Sequence, residues 1–410
     1  MTELYDNIKL KLVITIITIF LMLFVSTNTY SLQSIENLAY VVALGLDTSD
    51  NNNLKLSIQL AKPSEISTSS TTSSSEQSSS TVINSVECSS IQEGLNLFDS
   101  HISRTINLSH CKIIAFSEEL ALEDISEYLK DLSNNIQVSS HANVVISKCD
   151  ASTFLEMTNP TLENFSARYY QIISSSSTST SFTRDITIMD FFSAYNNSFQ
   201  EPVAILSGIN NNTTHYTKSN DSFVNKDNSY VAGQTPFNSK NNVENMGLAI
   251  FKGGKIVGEL NGIETICHML VSGNLKYCNI QIENPNNSSE TLDLKIKFNK
   301  PTKTIVKIVG GSPYIDISLN ITAQITSTSY DVDNLEPAIN KYLKELIYNY
   351  LYKISKNYNA DIDGFGKYAL KNFTTINDWE TYNWLNNYKN SFFKVNIKSN
   401  VESNTNFLSG

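Results

Sequence analysis

The sequence predicts an α+β protein of several domains, with mostly antiparallel or mixed sheets each packed against helices and preceded by an N-terminal hydrophobic signal or anchor. Three observations lead there: a charge-free apolar run near the N-terminus, segments of strict apolar and polar alternation, and intervening segments with helical apolar spacing. A chain of 410 residues exceeds what one core usually organises, and a composition of 40% hydrophobic and 17% charged residues can fill more than one.

The run Leu12 to Val25 (LVITIITIFLMLFV) carries no charge, follows Lys9 and Lys11, and precedes the polar stretch Ser26 to Ser31. It is shorter than the roughly 17 to 25 residues of a usual spanning helix and fits the upper end of a signal-peptide core. Positive charge before it keeps the N-terminus inside and places the remainder outside. Residues 1–31 are therefore read as a signal or membrane anchor, with cleavage left open.

Leu38 to Leu46 reads as a strand, and Leu54, Leu56, Ile58 and Leu60 alternate with Lys55, Ser57 and Gln59 as a second strand with one wet face. Ser64 to Thr81 is almost all Ser and Thr and reads as a mobile loop, because it has too little apolar surface to offset its ordering entropy. Ser90 to Glu93 has capping-box spacing and opens a helix to about Ile102. Strand Lys112 to Phe116 follows. Ser117 then caps one helix with Leu122, Ile125 and Leu129 inward, its acidic first turn suiting the helix dipole. Another strand is expected over Val144 to Ile146.

The first domain is expected over 32–207, followed by a linker or long surface loop over 208–245, rich in Asn, Ser, Thr and Lys. Beyond it, Leu248 to Leu260 reads as a hairpin turning at Gly253-Gly254, a pair that favours a type I′ turn. Leu292 to Phe298 and Ile315 to Ile325 alternate as half-buried strands, Leu335 to Ile354 has helical spacing, and Phe393, Val395 and Ile397 make a last strand. A middle domain over 246–300 and a C-terminal domain over 301–410 are expected.

The charge pattern argues against nucleic acid: the net charge is -10, no basic stripe is visible in the sequence, and Arg104, Arg168 and Arg184 are the only arginines. The five cysteines lack any C-x-x-C pair and read as buried thiols, with a Cys267 to Cys278 bridge left open. Gly253, Gly254 and Gly258 lack the Lys-Ser/Thr pair of a phosphate loop. Asn359, Asp361, Asp363 and Gly364 match the first half of a calcium loop, but Leu370 stands where the closing Glu belongs, so a turn after the long helix is expected. His110-Cys111 and Cys267-His268 are neighbours whose side chains diverge, and His101, His141 and His215 have no ligand spacing. Glu118 and Glu119 fit a helix first turn better than a catalytic pair. No catalytic residue, metal, cofactor or ligand contact is assigned, and the expectation is a protein that is not an enzyme.

Several local sequences together resemble the Ger(x)C family, the C subunits of spore-germination receptors. They are Ile35 to Ala39 leading into Ala43 to Asp47, Leu108-Ser109-His110, Ser117 to Ala121, Gly247 to Lys252, Lys255 to Leu260, Glu264-Thr265, Asp363 to Gly366, and Trp384. The resemblance spans nearly the whole exported part, with 246–410 resembling the family's C-terminal region. It implies a three-domain α+β protein on the outer side of the spore inner membrane, acting with an A subunit and a transporter-like B subunit in nutrient sensing. Relatives carry a lipobox cysteine followed by Trp-Asp, whereas that register here holds Thr29-Tyr30-Ser31, which cannot accept a diacylglyceryl group. An apolar run retained as an anchor is the expectation that follows. Asn134-Asn135 also replaces an Arg-containing segment common in relatives. The alternatives from other classes are a membrane-anchored solute-binding protein and an envelope hydrolase with an unrecognised site.

Overall fold

A computed structural model describes residues 11–20, 22, 37–50, 53–62, 81–158, 163, 166–210, 229–236, 242–285, 287–326 and 335–402. The architecture is α+β, with two sheets and helices packed on them. Residues 11–20 are helical with exposed side chains, and among the described residues no helix is long and apolar enough to cross a membrane. The Ser/Thr tract lies outside the described residues apart from Thr81.

The first sheet has nine strands in the order β3-β2-β1-β5-β6-β7-β8-β9, with β4 added beside β1. β1 (Leu38–Thr48), β2 (Leu54–Ala61) and β3 (Thr81–Cys88) form an antiparallel edge. β4 (Thr105–Asn107), β5 (Ile113–Ser117), β6 (Asn143–Ser147) and β7 (Val203–Ile209) join in parallel pairings. β8 (Val243–Lys252) and β9 (Lys255–Leu260) close the far side antiparallel. The central strands are apolar on both faces, as parallel strands covered by crossover helices must be.

Three details differ from the sequence expectation. The polar face of β2 is covered: Ser57 and Gln59 are buried, the Ser57 hydroxyl pairs with Ser85, and Tyr170 donates to Gln59 Oε1 at 2.8 Å. The single helix expected after Ser117 is two, because Leu122 is exposed and the Ile125 amide bonds to Gly254 O on the β8–β9 turn at 3.0 Å. In that turn only Gly253 takes a positive φ, 60°, so it is not the type I′ turn expected.

The helices of this half are α1 (Ile91–His101), α2 (Glu118–Leu122), α3 (Ser126–Asn134), α4 (Ala151–Met157), α5 (Ser166–Thr180) and α6 (Ile188–Tyr195). Ser90 caps α1, accepting from the Glu93 amide, and Ser117 caps α2, accepting from the Leu120 amide. The start of α4 is capped from a distance by the buried Asp47 of β1, whose carboxylate accepts from the Ala151 and Ser152 amides. Thr187 and Asp190 form a reciprocal capping box on α6.

The second sheet runs β10 (Cys278–Asn284), β11 (Asn287–Val309), β12 (Ser312–Ile325), β13 (Phe392–Glu402) in that order. β11 continues through residue 300, with register shifts between Phe298 and Lys303. β13 lies parallel to β12, which requires a crossover. Its main element is α8 (Leu335–Tyr352), which packs on β13 and continues as a π-helical turn over Lys353–Tyr358. α9 (Gly366–Ala369), α10 (Ile376–Tyr382) and α11 (Trp384–Asn387) complete the return.

One apolar cluster fills one side of the first sheet, with Leu44, Phe116, Ile146 and Phe251. The other is shared: Ala43, Val145 and Ile205 of the first sheet belong to the same cluster as Leu294, Ile317 and Ile347 of the second half. Between them lies α7 (Gly262–Val271), buried at every position except Glu264. The two ends of 208–245, expected as a linker, lie in β7 and β8, which pair with each other.

Candidate functional site

The described polar groups converge where the two sheets meet, on the loop that leaves the π-helical turn. Asn359 ends that turn in the left-handed region (φ 48°), and Gly364 takes φ 73°, so the chain doubles back and aims Asp361 and Asp363 inward. The Asn261/Glu264 capping box fixes α7, and Lys353 clamps its first turn by reaching Glu264 Oε2 at 2.7 Å and Glu259 O at 3.1 Å. This places His268, fully buried, against α8 and the loop.

Four residues then form a chain of contacts. Arg184 Nη1 lies 3.1 Å from His268 Nε2, and His268 Nδ1 lies 2.9 Å from Asp363 Oδ1 and 3.1 Å from the Tyr350 hydroxyl. Tyr350 donates to both Asp363 oxygens at 2.9 Å. A guanidinium only donates, so Nε2 must accept and the imidazole proton sits on Nδ1, facing the carboxylate. The arrangement is a cation and an anion bridged by a neutral imidazole. Burial, then the charge of Asp363, pushes the Tyr350 phenol well above its usual range, and burial pulls the Arg184 guanidinium down from its own. His268 and Asp363 resemble part of a hydrolase relay only superficially, since Arg184 rather than a nucleophile occupies Nε2.

Asp361 makes a second knot. Its carboxylate accepts from the Phe365 amide (3.1 Å), the Gly366 amide (2.8 Å) and Trp384 Nε1 (2.8 Å), and burial pushes it up to about 7. Trp384 stacks on Trp379 with centroids 6.0 Å apart, and Trp379 Nε1 donates to Ser198 of the first half at 2.7 Å. The Glu201 amide donates to Asp361 O (2.8 Å) and Gln200 Nε2 to Ile362 O (3.1 Å). A side chain at Gly366 would meet Phe199 O and Trp384 Nε1 at 2.6 Å, so the close approach needs glycine there. Residues 198–201 thus stitch the first half to the loop.

Of the residues weighed in the sequence, Asp361 and Asp363 sit at this junction, with Leu370 turned outward, and no metal-holding group of three was found among the described residues. Cys267 and Cys278 are buried and unbridged; burial pushes the Cys278 and Cys111 thiols up to about 12. His110 sits edge-on to Tyr40 instead of joining Cys111. Glu118 and Glu119 occupy the first turn of α2. Sequence reasoning missed Arg184 and Tyr350. The scarcity of arginine and the lone histidine in the apolar run GIETICHMLV were the available signals.

Two open surface depressions lie elsewhere. One of about 440 Å³ is lined by Val138, Ile188, Met189 and Phe192, and one of about 490 Å³ by Glu283, Asn284, Lys341 and Tyr342.

The chain matches the family described as spore germination protein N-terminal domain over residues 31–208, and that described as spore germination B3/GerAC like, C-terminal, over residues 246–405. It is 21% identical over 361 residues to spore germination protein KC of Bacillus subtilis (strain 168), covering 85% of this chain and 84% of that protein. The crystal structure of the GerBC protein has a similar fold, with a TM-score of 0.52 and 14% identity, covering 87% of this chain and 96% of that one. With both family domains present in order and a matching fold, the chain belongs to the Ger(x)C family of spore germination proteins.

Proposed function

We propose that this protein is the non-enzymatic C-type subunit of a spore germinant receptor, acting with A-type and B-type membrane subunits in nutrient-triggered germination. The observation that carries the reading is the ordered match of both family domains over residues 31–208 and 246–405. The junction supports it: its titratable groups are engaged with one another and with backbone amides, an arrangement suited to holding two halves in fixed relation. In this reading the apolar run Leu12 to Val25 holds the protein on the outer face of the spore inner membrane, in place of the lipid that Thr29-Tyr30-Ser31 cannot carry.

Deleting the gene in its spore-forming host tests the reading. Germination triggered by nutrients should fall while a trigger that bypasses receptors still works. An unchanged response across a broad nutrient panel, together with failure to recover A- or B-type subunits with this chain from solubilised spore membranes, would overturn it. Recovery of the mature protein from the soluble fraction would overturn the anchor.

A further inference from the structure

The outward face of the second sheet is open to solvent and strongly basic towards the β11–β12 turn. Lys300, Lys303 and Lys307 of β11 and Lys394 and Lys398 of β13 are exposed there. The register places them on one surface: Lys307 lies opposite Tyr314, which lies opposite Phe392, and Asn320 lies between Lys300 and Lys398. Across β11 from 300, β12 to 320 and β13 to 398, Asp316 is the single carboxylate among the described residues, and Lys394 (3.6 Å) and Asn396 Nδ2 (2.7 Å) already engage it. This stands on a chain whose net charge is -10, so the basic patch is a local concentration and not a reflection of composition.

Aromatic and aliphatic surface sits at the end of the same face. Tyr314 and Phe392 are 44% and 48% exposed and stack with centroids 4.9 Å apart, and Val309 beside the turn is 56% exposed. Lys356 Nζ reaches to 5.9 Å from the Phe392 ring. Lysines on long apolar stems around exposed aromatic rings match the chemistry of a membrane interface, where rings settle among headgroups and ammonium groups meet phosphates. The surface is a sheet face that presents point charges without an arginine fork, which suits a field of many phosphates better than one bound anion.

We propose that this face docks on an anionic phospholipid surface, with Tyr314, Phe392 and Val309 at headgroup depth and the lysines among the lipid phosphates. It is a contact separate from the N-terminal run and stands on this face alone, whether or not the receptor reading holds.

The test uses the full chain carrying Phe392→Trp in vesicles with brominated acyl chains, made either from phosphatidylcholine alone or with phosphatidylglycerol added. Trp379 and Trp384 are buried and give a background that the bilayer does not reach. The expected result is quenching of the new tryptophan only with the anionic lipid, reversed by salt. Adding Lys303→Gln, Lys307→Gln and Lys394→Gln should lower the docked-to-undocked ratio about a hundredfold at low salt. An unchanged buried-tryptophan signal verifies folding of these surface variants. Equal quenching in both lipids would overturn the proposal, as would none in either, which would redirect the face to an acidic protein partner. Flotation of the vesicles reports attachment through the N-terminal run separately.

Discussion

Replacing Asp363 with Ala isolates the junction. In the native protein its carboxylate receives the Tyr350 hydroxyl and the His268 Nδ1 proton, and it balances the Arg184 charge at the other end of the imidazole. Asp363→Ala strands the Tyr350 hydroxyl and takes the carboxylate acceptor from the His268 Nδ1 proton, each loss costing about 1–3 kcal/mol, and it removes one of the anions that, with Asp190, face the Arg184 guanidinium. Partial relaxation makes the total about 4 kcal/mol, a large share of the roughly 5–15 kcal/mol that stabilises a native protein. Urea unfolding followed by the fluorescence of Trp379 and Trp384, both close to this loop, should show the midpoint falling sharply. Asp363→Asn keeps an acceptor for Tyr350 and should cost less. A loss below about 1 kcal/mol for Asp363→Ala would refute the reasoning, since it would mean these groups are satisfied without the carboxylate.

Asp361 gives a pH signature. Its carboxyl is raised in the folded state to about 7, so folding favours the protonated form; the associated stability is complete below the unfolded value and is lost as pH rises through about 7. Urea midpoints between pH 5 and pH 8 should fall more steeply in the wild type than in Asp361→Asn. Gly366→Ala should lower stability by about 1–3 kcal/mol, because the added methyl meets Phe199 O and Trp384 Nε1; a smaller shift in the same titration would show that the contact yields. A thiol reagent should modify Cys149 first and the four buried cysteines only on unfolding, with gel mobility unchanged by reductant.

The second sheet was largely legible because one side of β12 is open, so Ile315 through Ile325 alternate with polar residues in the simplest way. The same logic misled at β2, where the polar positions Ser57 and Gln59 are buried and satisfied by Ser85, Thr81 and Tyr170. Alternation records side-chain polarity, and a long-range hydrogen bond can bury a polar side chain. The helix after Ser117 failed for a related reason: Leu122, Ile125 and Leu129 fit one helical stripe, but the break between them is set by Gly254, far along the chain. At the junction, the loop Asn359 to Gly366 was visible through its glycines and acids. The partners Arg184, His268 and Tyr350 come from three separate segments, and no local spacing announces their meeting.

The pairing of β7 with β8 also sets an order of assembly. A nascent chain released only as far as residue 209 would present β7 with an unsatisfied row of amides and carbonyls on one edge, next to apolar side chains that belong under later segments. The sheet gains its last border only when β8 and β9 emerge. The N-terminal half therefore has to wait, unfinished and prone to self-association, until roughly the first 260 residues of the chain are available.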